Sequence, residues 1–159
     1  MRRVTLLAAG KLKEKYLRDA VAEYKKRLSR DTQLTVTELP EARLSRDPSE
    51  KEIQQALDKE GEAILGRLPK QAIIVTLCIE GKQYTSEEFA ATLTALEHQS
   101  SHVVFIIGSS HGLSDRVKEK SDIRLSLSSM TFPHQLARVL LTEQIYRAFA
   151  INGNSKYHK

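Results

Sequence analysis

Apolar residues recur along this chain in two rhythms. Short runs the length of a strand stand between longer segments whose apolar positions return every three or four residues, the spacing of a helix. Val4–Ala9, closed by Gly10, reads as a first strand. Glu14–Leu28 carries Tyr16, Leu17, Ala20, Val21, Tyr24 and Leu28 on one side and Lys and Arg on the other, which predicts an amphipathic helix. Gln33–Leu39 alternates through Leu34 and Val36 as a second strand. A polar loop, Pro40–Asp47, follows. Asp47-Pro48-Ser49-Glu50 then predicts a helix start, with Asp47 as cap and Pro48 at the first position. Its apolar stripe (Ile53, Ala56, Leu57, Ala63, Ile64, Leu68) runs to about Leu68, and Gly61 inside it lowers helix stability a little.

Ala72–Ile79 is almost continuously apolar, as in a strand buried on both faces, and Glu80-Gly81-Lys82 is expected to turn the chain. Thr85-Ser86-Glu87-Glu88 is a capping box for a helix carrying Phe89, Leu93 and Leu96. His102–Ile107 is another fully buried strand, ending at Gly108-Ser109-Ser110-His111-Gly112. A short charged helix near Ser114–Lys120 and a strand near Ile123–Leu127 follow. After the hydroxyl-rich bend Ser128–Thr131, a long helix is expected from Pro133, at its first position, to about Ala150. The alternation predicts one α/β domain over residues 1–159, with a mainly parallel sheet and helices on both faces.

Composition adds bounds. Of 159 residues, 40% are hydrophobic and 28% charged, as in an ordinary globular protein. No apolar run nears the roughly 20 residues that span a bilayer, so no membrane contact is expected. The start resembles a signal peptide in its basic and apolar order, but its apolar run is short and Lys11-Leu12-Lys13-Glu14-Lys15 follows at once. A single Cys78 excludes an internal disulfide and fits a reducing cytoplasm, and its strand setting reads as core. The net charge of +5 favours a polyanionic partner such as RNA.

In an open parallel sheet, ligands bind beyond the carboxyl ends of the strands. Three loops are expected there: Leu77–Gly81, Gly108–Gly112 and Leu127–Pro133. They are rich in Gly and Ser and poor in charge, which suits a nucleotide-like ligand held by backbone groups rather than a metal. His98, His102 and His111 lie at unrelated places, without metal-ligand spacing. Gly108–Gly112 also matches the G-x-S-x-G elbow of serine hydrolases, with Asp122 and His134 following in that fold's order. Against a triad, Asp122 stands at a strand start, the wrong edge, and the next helix is short and charged. No G-x-G-x-x-G occurs. The last helix is apolar on more than one face (Leu136, Val139, Leu140, Leu141, Ile145, Tyr146, Phe149), which predicts packing on the sheet and on a partner chain. The Tyr157-His158-Lys159 end is either a free terminus or a flap over a nucleotide.

The opening Leu6-Leu7-Ala8-Ala9-Gly10-Lys11-Leu12-Lys13, the strand end Phe105-Ile106-Ile107-Gly108, Leu125–Gln135 with its Ser-Met-Thr-Phe-Pro-His-Gln run, Glu143-Gln144-Ile145-Tyr146-Arg147-Ala148 and the Tyr157-His158-Lys159 end together resemble one family. It is the ribosomal RNA large subunit methyltransferase H family of the SPOUT superfamily, and the resemblance spans the whole chain. It implies a homodimer with a C-terminal trefoil knot. It also implies methylation of N3 of a pseudouridine in 23S ribosomal RNA on the ribosome, with S-adenosyl-L-methionine as donor and no metal. Carried over by position, the cofactor residues would be Leu77, Gly108, Leu127, Ser128, Ser129, Met130, Thr131 and Phe132. Ser109 stands where the family often has Gly, and Ser129 where it often has Lys.

Methylating the pseudouridine imide requires loss of the N3 proton, so a base or an anion-stabilising cation would assist. His158, Tyr157, Arg138 and His134 are the catalytic candidates. Other readings stand beside these: His134 as a helix cap, Arg138 in an interface ion pair, and a tail that orders only on the ribosome. Lys11, Lys13, Lys15 and Arg18 are the expected RNA-binding surface.

Overall fold

The computed structural model describes Met1 and residues 3–159. Among the described residues five strands and five helices alternate: β1 (Arg3–Ala9), α1 (Lys15–Leu28), β2 (Gln33–Leu39), α2 (Glu50–Leu65), β3 (Ile73–Gln83), α3 (Ser86–Glu97), β4 (His102–Ile107), α4 (Asp115–Glu119), β5 (Ile123–Ser126) and α5 (His134–Asn152). The strands form one sheet in the order β2-β1-β4-β3-β5, and every described strand pair is parallel.

Helices cover both faces, and the strand sequences show why. Val4, Leu6 and Ala8 of β1 and Val103, Phe105 and Ile107 of β4 point to one side. There they pack against Leu28 of α1, Phe89 and Leu93 of α3, and Leu141 and Ile145 of α5. Leu7, Ile74, Val104 and Ile106 point to the other side, onto Ile64 of α2 and Val117 of α4. Successive strand residues face opposite ways, so a strand covered on both sides needs an unbroken apolar run. Phe105, sealed at 1% exposure, meets Phe89 edge to face with ring centres 6.2 Å apart.

Several local expectations are corrected. Helix α2 is capped by Ser49 rather than Asp47. The Ser49 hydroxyl accepts from the Glu52 amide, and the Glu52 carboxylate accepts from the Ser49 amide, so Pro48 lies before the cap. The helix stops at Leu65, short of Leu68. The Thr85–Glu88 box forms as expected. Pro133 is the cap of α5 rather than its first helical residue.

The turn expected at Glu80–Lys82 instead lies inside β3. Leu77 and Lys82 both register against Leu125, so residues 78–81 leave the ladder as an excursion that rejoins it. Gly81 permits the crossing, since a Cβ there would lie 2.7 Å from the Arg124 carbonyl. The chain end is also ordered onto the body. After α5, Asn154 takes a left-handed φ of 57°, and Ser155 N donates to the Ala150 carbonyl at 2.8 Å. Asn tolerates that conformation better than most residues.

Candidate functional site

The excursion of β3, the loop after β4 and the bend after β5 meet beyond the carboxyl ends of their strands and enclose a cavity of about 290 Å³. Leu77, Gly108, Leu127, Ser128, Met130, Thr131 and Phe132 all line it. Ser129 is exposed and lies outside the lining. The bend is held by its own hydroxyls: Ser126 Oγ donates to the Ser128 carbonyl at 3.0 Å, and Ser128 Oγ accepts from Met130 N at 3.0 Å.

Residues 108–112 close a tight turn, with Gly112 N donating to the Ser109 carbonyl at 2.9 Å and Gly112 at a φ of +89°. A Cβ on Gly108 would overlap the Gly112 carbonyl, so the backbone itself forms this wall. Ser109 keeps a negative φ, so the side chain in place of the family's Gly is unstrained. Its hydroxyl donates to Glu60 at 2.8 Å.

Polar side chains stand at the mouth. Lys118 Nζ is 2.7 Å from Glu80 Oε1, and this hydrogen bond holds the Glu80 carboxyl below its ordinary range. Cys78 and Glu80, within the expected Leu77–Gly81 loop, line the cavity, and so does Lys118, a role that its short charged helix did not signal. Burial pushes the Cys78 thiol up, with Thr76 Oγ1 at 3.5 Å from its sulfur opposing that effect.

Of the four catalytic candidates, His134 alone lines this cavity. Arg138 is buried at 1% exposure, paired with Glu38, and donates from Nη2 to the Gly10 carbonyl at 3.0 Å. Tyr157 and His158 are docked on α5 and the start of α3. The Tyr157 hydroxyl donates to Glu143 at 3.1 Å, and its ring packs on Tyr146 with centres 4.7 Å apart. His158 lies 3.0 Å by Nδ1 from Arg147 and 2.7 Å by Nε2 from Glu87. Burial, with Tyr24 and Glu143 nearby, pushes the Tyr157 phenol up to about 12. It therefore stays protonated at neutral pH.

The hydrolase geometry is absent. The Asp122 carboxylate accepts from Ile74 N at 2.8 Å at the amino end of β3, across the sheet from the loop carrying Ser110. Lys11 and Lys13 are exposed on the segment leading into α1, and Lys15 and Arg18 on its first turn. Arg18 donates to the Leu12 and Lys13 carbonyls at 3.0 and 2.7 Å, and Lys13 N donates to Gln135 at 3.2 Å. The basic segment is thereby fastened beside the first turn of α5.

Residues 2–158 match a family model described as "Predicted SPOUT methyltransferase". The chain is 48% identical over 158 residues to a protein of Bifidobacterium adolescentis named "Ribosomal RNA large subunit methyltransferase H", covering 99% of each. It is 44% identical to the protein of that name from Streptococcus uberis, again over 99% of each. Among solved structures it resembles a "probable methylase family protein" from Haemophilus influenzae Rd KW20. The TM-score is 0.53 at 15% identity, covering 99% of this chain and 70% of that one, a likeness of fold alone.

Proposed function

The chain belongs to the ribosomal RNA large subunit methyltransferase H family of SPOUT methyltransferases, and from that premise we propose that it methylates N3 of a pseudouridine in 23S ribosomal RNA. On this reading S-adenosyl-L-methionine is the donor, the ribosome is the substrate-bearing assembly, and the enzyme is a cytoplasmic homodimer. The convergence of Leu77, Gly108, Leu127, Ser128, Met130, Thr131 and Phe132 on one cavity supports it. Their mixture suits the cofactor: Leu and Phe for a flat purine, hydroxyls and free backbone groups for its polar edges, and a glycine wall at van der Waals range. Bound there, the cofactor supplies an electrophilic sulfonium methyl.

Methyl transfer of this kind is mostly positioning. The Ser126–Ser128–Met130 hydrogen bonds fix one wall, and the closed turn at 108–112 fixes another. The imide proton must leave N3, and His134 is placed at the cavity to accept or relay it. Tyr157 and His158 lie off the cavity in one chain. They would reach a nucleotide there from a second copy, or after leaving Glu143, Arg147 and Glu87.

A homodimer is supported by Met130 at 74% exposure and by Phe132 and Leu136 beside it on the bend and on α5. The trefoil knot belongs to the same reading. It is supported by β5 at the sheet edge followed by an α5 that returns across the sheet to pack on both α1 and α3. RNA contact through Lys11, Lys13 and Lys15 would weaken as salt rises.

A methyl-transfer assay tests the proposal, using ribosomes and free 23S RNA that carry either pseudouridine or uridine at the target. Transfer to N3 of pseudouridine is the expected result. Transfer to neither RNA, from a chain that binds the cofactor, would overturn the substrate assignment.

A further inference from the structure

Behind the cavity stands a residue that does not line it. Glu60 of α2 is buried at 6% exposure, and both of its oxygens accept hydrogen bonds, from Ser109 Oγ at 2.8 Å and from Ala42 N at 2.9 Å. Both donors are neutral. Among the described residues no Lys, Arg or His forms an ion pair with it. Glu60 also lines the second cavity, beside Ala42 and Ala56, and a largely buried carboxylate without a cation is costly where an apolar residue would fit. Ala56 and Ile64, one helical turn to either side, are buried apolar residues, so a Leu at 60 would complete their stripe.

What Glu60 holds accounts for its presence. Ser109 belongs to the closed turn that walls the cofactor cavity. Ala42 belongs to the segment after β2, which with α2 walls a separate cavity of about 670 Å³. The neighbouring Gly61 brings the helix into place, since a Cβ there would overlap Ser114 Oγ at the start of α4. One side chain thus ties three segments together behind the site.

We infer that Glu60 is a positioning residue for the cofactor site: through Ser109 it sets the 108–112 turn, and through Ala42 it makes that setting depend on the segment after β2. The inference rests on the cofactor reading of the cavity. It gives a carboxylate in the outer helix layer a role in cofactor affinity that it exerts without touching the cofactor.

Calorimetric titration of the full-length chain with S-adenosyl-L-methionine tests it, paired with thermal unfolding of each variant. Glu60→Ala should weaken binding about tenfold and Ser109→Ala about fivefold, the scale of one or two lost hydrogen bonds. Ser109→Ala added to Glu60→Ala should cost nothing further, because both remove the same bond. Glu60→Gln should bind within about twofold of wild type, since an amide can accept from Ala42 N and donate to Ser109 Oγ. If Glu60→Ala fails to fold, Ser109→Ala decides. Wild-type binding with no change of affinity in Ser109→Ala or Glu60→Ala, whatever happens to their unfolding temperatures, would overturn the inference alone. No heat from the wild type at millimolar cofactor would overturn the cofactor reading and the inference with it.

Discussion

Arg138, buried near the start of the chain's last helix, is ion-paired with Glu38 at the end of the second strand. The same guanidinium binds the Gly10 carbonyl, and Glu38 accepts from Leu12 N at 3.0 Å. The pair therefore joins α5 to the loop that carries Lys11 and Lys13. Arg138→Ala should cost about 3 kcal/mol of stability in urea unfolding, the lower end for breaking a buried pair, because the Glu38 side chain keeps 33% of its surface in water. Arg138→Lys retains the charge but not the forked geometry, and should cost part of that while turnover persists in the folded fraction. A fully stable Arg138→Lys protein with no turnover would assign Arg138 to catalysis instead.

Gly108→Ala should abolish cofactor binding and lower stability by about 2 kcal/mol, the usual scale of overpacking, because the added methyl meets the Gly112 carbonyl. Gly112→Ala differs in kind: there the space is open, and the cost comes from its φ of +89°. Calorimetry and thermal unfolding on both variants separate the two effects. Normal binding by Gly108→Ala would remove this turn from the site.

Tyr157 should ionise late. Its phenol is pushed from 10.0 to about 12 in the fold, so the stability gained by docking it neutral is complete below about pH 10 and is lost as pH rises through about 12. A tyrosinate absorbance titration should show one late step that Tyr157→Phe removes. Activity between pH 7 and 9 should then carry no limb from Tyr157 acting as a base. Ionisation of every tyrosine near its ordinary value would mean that the tail is not docked in solution.

Cys78 should alkylate slowly near neutral pH and faster only above the ordinary thiol range, since burial favours its protonated form. Because it lines the cavity, S-adenosyl-L-methionine should slow the reaction further. Mass spectrometry of iodoacetamide-treated protein, with and without cofactor, measures both effects. Equal rates in the two samples would place the ligand elsewhere.

Much of this protein is written locally. The unbroken run from Val103 to Ile107 announces a strand covered on both faces, and Thr85 with Glu88 announces a helix start, because each signal needs only residues within a few positions. The meeting of the three cavity-lining loops follows from strand order alone, since parallel strands place their exits on one edge. Ser49 prevails over Asp47 as a cap through one reciprocal pair of hydrogen bonds, a choice near the limit of local reading.

Other features have no local signature. The excursion of β3 depends on Gly81 lying against Arg124 of another strand. Glu60 carries no local sign of its contacts, because Ser109 and Ala42 arrive from two distant segments. Arg138 reads equally as a catalytic cation or an ion-pair partner until Glu38 and Gly10 enclose it. Hydrophobic periodicity is a property of neighbours along the chain, so the sequence by itself determined the elements, their order and the edge where the loops meet. The partner of a buried donor or acceptor is a property of neighbours in space, and only the tertiary structure decided which polar residues line the cavity and which hold it in place.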